Sequence, residues 1–308
     1  MASPTSNLYV ALNSTNAYDL RNLSTNHMPF VDIFNSATNN VNGQIRIDIP
    51  VSNISNCQEL QDELNSDKNG SFILENDIDC SDVNMTSATP GNLRPITNFN
   101  GSLNGDNYRI YNFRANNGLF ASTGTNLITL TDLTFEATIN SSSAQTGMLI
   151  GLARGSVEIT NVHTSGLISS SATELGGIVG SGSNIKILNS SSDLNISAGH
   201  SKVGSFIGAA TGTVRIDNSV TSGSINNILS TVIGGMIGEA NTAEITNSNS
   251  SVKIDSTSSN SVGGLIGAAN GIIRITNSNV TNEINARSSI GGLIGISTNI
   301  DSIIRESS

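Results

Sequence analysis

A five-residue pattern, Gly-Gly-apolar-apolar-Gly, returns through the chain at a nearly constant interval, and a fixed period overrides any local reading of helix or strand. Its copies are Gly147-Met-Leu-Ile-Gly151, Gly176-Gly-Ile-Val-Gly180, Gly204-Ser-Phe-Ile-Gly208, Gly234-Gly-Met-Ile-Gly238, Gly263-Gly-Leu-Ile-Gly267 and Gly291-Gly-Leu-Ile-Gly295, starting 29, 28, 30, 29 and 28 residues apart. A degenerate copy, Asn117-Gly-Leu-Phe-Ala121, lies 30 residues upstream.

Each copy is followed by an alternating segment that ends in an amide or acid: Leu130-Thr-Asp132, Val157-Glu-Ile-Thr-Asn161, Ile185-Lys-Ile-Leu-Asn189, Val214-Arg-Ile-Asp-Asn218, Ala243-Glu-Ile-Thr-Asn247 and Ile273-Arg-Ile-Thr-Asn277. Alternation with period two means a strand with one face in and one face out. A weaker strand follows, as in Leu194-Asn-Ile196 and Val252-Lys-Ile254. Short strands of this kind cannot bury their apolar faces alone, but stacked coils can. The expected fold is all-β: a right-handed parallel β-helix, or solenoid, with three short strands per coil. Leucine-rich repeats would show a regular Leu pattern, and propeller blades need longer repeats.

Stacking turns equivalent residues into columns spaced by ~4.8 Å. Asn161, Asn189, Asn218, Asn247 and Asn277 therefore form a structural ladder, one amide per coil at the same corner. Glu158, Lys186, Arg215, Glu244 and Arg274 form an outward column of mixed sign, as a solvated face does. The apolar residues inside the glycine pattern leave two alternatives. Strict alternation would turn Leu149, Ile178, Phe206, Met236, Leu265 and Leu293 outward as an interface stripe, covered by the N-terminal segment or another chain. A bend at the glycines would instead send both apolar columns into the core.

Upstream, residues 55–65 read as a short amphipathic helix with Ser55 or Asn56 as N-cap and Ile54, Cys57, Leu60 and Leu64 on one face. Such a helix suits the open end of a solenoid, where it covers the core and blocks the strand edge. The expected organisation is an N-terminal arm or small added sheet over 1–52, a helix cap with irregular first coils over 53–116, and regular coils with a C-terminal cap over 117–308. Within the first segment only residues 30–34 and 45–49 are strand-like.

Charged residues make up 12% of the 308, aromatic residues 4%, and the net charge is −10 with no evident basic run. Nucleic acid is therefore not an expected partner. No stretch approaches the ~20 apolar residues of a membrane-spanning helix, so membrane insertion is not expected, and the first five residues lack the start of a secretory signal. Cys57 and Cys80 are either a disulfide tying the cap to an early strand or two buried thiols. Asp77, Asp79 and Asp82 are a weak calcium candidate without EF-hand spacing, or else turn-capping carboxylates. No cofactor is expected.

The order of features from Ser55 to Gly295 resembles the GLUG-motif β-helix proteins. The resemblance rests on the short helix, residues 70–79 (Gly70 to Asp79), Arg94-Pro-Ile96, residues 99–105 (Phe99 to Gly105), Tyr108-Arg-Ile-Tyr-Asn112, Gly118-Leu-Phe120 and the glycine-rich copies. It implies a scaffold or adhesive role like that of repeat modules in bacterial surface adhesins and secreted proteins, and carries over no catalytic residue. The expected function is a non-catalytic surface module that presents a polar Ser/Thr/Asn face to a glycan or protein ligand, with homo-oligomers open. Its setting is extracellular, on a cell surface or on a virion. Alternatives are a virion or particle assembly protein and a polysaccharide lyase or hydrolase. The last needs clustered carboxylates, whereas the acids here are scattered singly and His163 and His200 have no acidic neighbour in sequence.

Overall fold

A computed structural model of the chain describes residues 30–33, 43–46, 51–81, 95–199, 202–227, 232–256, 258–287, 289–298 and 302–308. Contacts divide it into Met1–Val51 and Ser52–Ser308. In the first unit, Phe30–Ile33 pairs antiparallel with Gly43–Arg46. The second is a parallel β-solenoid of about seven turns with ~29 residues per turn.

The coils from Gln145 onward repeat the same strand positions. A six-stranded parallel sheet stacks Gln145–Gly147, Glu174–Gly176, Lys202–Gly204, Val232–Gly234, Ser261–Gly263 and Ile290–Gly291. After a bend inside the glycine pattern, the chain enters a second stack that begins Ile150–Ala153, Val179–Gly182 and Ile207–Asp217. The alternating segments then stack in register, Glu158 on Lys186 on Arg215 on Glu244 on Arg274. Beyond the Asn corner lies the last strand of the coil, so that Val157–Ser170 runs through Asn161 as one 14-residue strand.

The bend decides what the apolar pair does. A Cβ on Gly176 would lie 1.9 Å from the Val179 carbonyl, and one on Gly263 would lie 1.8 Å from that of Ile266. Only glycine lets the chain fold so closely over the residue three positions on. The turn breaks the alternation, and two consecutive side chains point inward. Leu149, Ile178, Phe206, Met236 and Leu265 are fully buried, and Leu293, in the last coil, is half-buried against the same core. The expected interface stripe is therefore not an outer surface; it is core.

The coil corner solves a backbone problem. Asn161, Asn189, Asn218, Asn247 and Asn277 all have φ between 49° and 55°, as does Asp132 at 51°. Asn and Asp tolerate this left-handed region better than other side-chain-bearing residues. The amide ladder is interrupted: Asn161 Nδ2 donates to Asp132 at 2.7 Å, Asn218 to Asn189 at 2.8 Å and Asn277 to Asn247 at 2.7 Å, whereas Asn247 turns to Asp217 at 3.2 Å. Conformation, more than the amide chain, unites the column.

From Asn189 onward the residue after the corner is a serine, and these serines form a second column. The backbone N–H of Ser190 donates to Ser219 Oγ, that of Ser219 to Ser248 Oγ, and that of Ser248 to Ser278 Oγ, each at 3.1 Å. Each hydroxyl in turn donates to the carbonyl two residues before it, Ser219 to Asp217 at 2.8 Å and Ser248 to Thr246 at 2.7 Å. These serines are almost fully buried. A left-handed residue pulls the next N–H out of reach of the neighbouring carbonyl, and a hydroxyl bridges the gap.

At the N-terminal end, α1 (Cys57–Ser66) buries Cys57, Leu60, Gln61 and Leu64. Asn56 Oδ1 accepts from the Glu59 amide at 3.0 Å, and Glu59 Oε2 accepts from the Ser55 amide at 2.9 Å, a reciprocal cap. Cys57 and Cys80 form a disulfide that ties this helix to an early coil. Aromatic packing is concentrated nearby, with Phe99 and Phe120 stacked at 4.3 Å and Phe113 and Phe135 at 4.9 Å. Later coils are mainly aliphatic.

Two substitutions test this account. Ser219→Ala removes an acceptor from the buried Ser190 amide and should lower the unfolding free energy by about 1–3 kcal/mol in urea melts. Phe206→Ala should cost about 3–5 kcal/mol by the same measurement and leave the sedimentation-derived oligomeric state unchanged, as expected of a core residue.

Candidate functional site

The glycine bends and the Asn corners are occupied by structure, so chemistry is left to the outward columns. On the alternating face, Lys186 pairs with Glu158 at 3.3 Å, and on the adjoining column Arg215 reaches Asp217 at 3.3 Å. Elsewhere Lys202 pairs with Glu239 at 2.8 Å and Lys253 with Glu283 at 3.1 Å. Exposed pairs of this kind add little stability. They leave a mixed-sign surface.

Asp77 and Asp79 are likewise engaged. Asp77 accepts from Arg109 Nε at 2.8 Å and from the Arg109 amide at 3.1 Å, and Asp79 accepts from Asn112 Nδ2 and the Ser81 amide, both at 2.9 Å. Asp82 lies outside the described residues. Among the described residues no group of three or more His, Cys, Asp or Glu side chains converges on a metal-sized site. The two visible carboxylates bind neighbouring coils together. The Arg109 amide first, then its guanidinium, holds the Asp77 carboxyl below its ordinary range, and the Asn112 amide does the same for Asp79.

The strand after the Asn corner presents a different surface. In register, Glu136, Ser165, Asp193 and Ser222 form one outward column, and Thr138, Leu167, Asn195, Ser224 and Lys253 form the next. Position 166 is inward-facing by alternation, yet it is Gly166 at φ 122°, between the buried Ala137 and Leu194 of adjacent coils. A Cβ there would lie 2.1 Å from the Ala137 carbonyl. With a glycine and a serine on this coil and longer side chains on its neighbours, the surface sinks.

The result is a groove of about 520 Å³ lined by Asn112, Arg114, Glu136, Ser165, Asp193 and Asn195, with Leu167 in its wall. The side chains of Arg114, Glu136 and Asp193 make no hydrogen bond or ion pair of their own among the described residues, unlike the paired charges named above. Asn195 Oδ1 accepts from Ser224 at 2.8 Å, which orients its amide. Leu167 is 42% exposed. The groove thus combines fixed acceptors, donors and one apolar patch on a rigid sheet.

The sequence reading counted Glu136 and Asp193 among scattered single acids. Their spacing holds the missing signal: residues 136, 165, 193 and 222 follow the coil period, which places the two acids on one column two coils apart. Arg114 and Asn112 carry no such signal, because their coil is irregular and its register shifts between Ile110 and Phe113. His163 faces Ser191, its Nδ1 at 2.8 Å from the hydroxyl, and His200 lies outside the described residues.

Residues 24–166 match the family described as the M26 IgA1-specific metallo-endopeptidase N-terminal region. Halomucin from Haloquadratum walsbyi is 33% identical over 170 residues, which is 52% of this chain and 2% of that protein. The chain therefore spans a small fraction of that relative. A solved structure assigned as an immunoglobulin A1 protease from Bacteroides ovatus aligns with TM-score 0.59 and 18% identity, covering 82% of this chain and 85% of that one. Another, of an IgA1 protease, aligns with TM-score 0.60 and 16% identity over 90% of this chain and 23% of that one. At these identities the structural likeness establishes the fold alone.

The Asp77 contact has a measurable sign. Its carboxyl is depressed in the folded chain, so its contribution to stability is present above the unfolded aspartate value and is lost as pH falls through the lower folded value. A carboxyl-detected NMR titration should find Asp77 below the ordinary aspartate value. Arg109→Met should raise it only part of the way back, because the backbone amide, the larger cause, remains.

Proposed function

We propose that this chain is a module of an extracellular or cell-surface protein that binds a glycan or protein ligand through the polar face after the Asn corner, with no catalysis of its own. The groove carries the reading. Its Arg114, Glu136 and Asp193 make no hydrogen bond or ion pair of their own among the described residues, yet a rigid sheet holds them together. Groups left free by the fold in a concave site are the first candidates for recognition.

Three further observations support this setting. The Cys57–Cys80 disulfide suits an oxidising compartment. The matched family is the N-terminal region of an IgA1-specific metallo-endopeptidase, and halomucin shares sequence with the chain. The sequence contains no His-Glu-x-x-His, the zinc-protease signature, since none of its three histidines is followed by Glu. The resemblance to GLUG-motif modules belongs to the same reading. No helix among the described residues is long and apolar enough to cross a membrane.

The test is binding of the labelled full chain to a glycan array and to extracellular-matrix and mucosal proteins, beside a chain carrying Glu136→Ala and Asp193→Ala. The expected result is a ligand whose capture falls at least about tenfold in the double variant, the scale of losing charge-assisted hydrogen bonds. Capture unaffected by the two changes, or ordered multimers with no ligand at all, would replace this reading with a structural one.

A further inference from the structure

Resting on that reading of the groove, we infer that its ligand is a neutral glycan, an unsubstituted hexose chain, and not an acidic polysaccharide. Three features of the site carry the inference.

The first is chemical type. Arg114, Glu136 and Asp193 end in planar groups that offer two atoms side by side, while Asn195, whose Oδ1 accepts from Ser224, leaves its Nδ2 to donate, and Asn112, whose Nδ2 is held by Asp79, leaves its Oδ1 to accept. A pyranose presents pairs of adjacent hydroxyls, each both donor and acceptor. Carboxylates accept from such a pair, a guanidinium donates to it, and between them the two amides do both. Thr138 and Ser165 add hydroxyls of their own, and the exposed Leu167 offers an apolar spot for the C–H face of a ring.

The second is charge. Two carboxylates against one guanidinium leave the groove net acidic, on a chain whose formal charge is −10. A uronate or sulfate polymer would meet repulsion at the site and from the chain as a whole. Discrimination against polyanions is thus built into the surface. The strongest competitor is a basic peptide, which the two carboxylates would attract. Against it stand Arg114 in the same groove and a lining in which amides and hydroxyls outnumber the acids.

The third is length. Arg114 stacks on Thr138, Thr138 on Leu167 and Leu167 on Asn195, so the site crosses four coils. At ~4.8 Å per coil it extends about 14 Å, room for a short oligosaccharide and not only a single sugar.

The experiment uses the full chain and titration calorimetry with cello-, malto- and manno-oligosaccharides as neutral probes, polygalacturonate and heparin as acidic probes, and oligolysine as the basic one. At least one neutral series should bind, tighten with chain length, and change less than about threefold in affinity between low and high salt. Asp193→Ala and Leu167→Ala should each weaken it about tenfold or more, Ser165→Phe should block it, and Lys186→Ala on the neighbouring face should leave it unchanged. Circular dichroism confirms that each outward substitution leaves the fold intact. Preference for either acidic probe, or salt-sensitive binding of oligolysine at the groove, would overturn the ligand class while leaving the module reading in place. Protein capture at the groove with no glycan bound would do the same. Absence of any groove-dependent ligand would remove both.

Discussion

A chain that turns a corner every few residues must find a partner for each N–H that the corner removes from its ladder, and in the coils from Asn189 to Ser278 an Asn-Ser dipeptide meets that requirement. Asn takes the left-handed conformation that swings the chain onto the next face. The following serine receives the displaced N–H of the coil before it and returns its own proton to a carbonyl two residues back. The arrangement works only between coils at the same stage of their turn, so each corner also sets the register of the coil above. Apolar burial supplies the drive to stack; the corner keeps the buried backbone polar groups of the stack satisfied.

The glycine pattern solves the complementary problem on the other side of the coil. A strand that alternated strictly would give the core one side chain in two. The bend lets two neighbours enter together, which compensates for a repeat too short and too poor in aromatic residues to fill its interior otherwise. The ends of the stack need separate treatment. The N-terminal end has a helix, a reciprocal cap and a disulfide, together with most of the aromatic packing. Nearly all specialised residues of the fold are therefore at bends, corners and that cap.

The same rigidity determines what kind of site this chain can offer. Stacked parallel strands hold outward side chains at fixed intervals, so a groove made by omitting side chains at Gly166 keeps its walls in place without induced fit. Its rim groups come from different coils and are held relative to one another by the stacked strands.

Much of this was readable from the sequence alone. The period, the parallel stacking, the capping helix and the mixed-sign column from Glu158 to Arg274 follow from the sequence pattern, because a repeat of constant length forces equivalent residues onto one line. Spacing also placed the corner asparagines. It could not say whether Phe206 and its equivalents faced in or out, because alternation is silent where the backbone bends, and the bend depends on how closely Gly204 approaches a carbonyl. Nor could it distinguish the serine after the corner from the many other serines. Its role exists only between two coils, as do the disulfide and the commitment of Asp77 to Arg109. The groove is the clearest case of tertiary decision: Glu136 and Asp193 are 57 residues apart in sequence and become its two walls because two turns of the solenoid bring them to one column with a glycine-floored coil between. The sequence determined that there would be a rod with columns. Three-dimensional stacking decided which columns were core, which were corner, and where a groove was left in the surface.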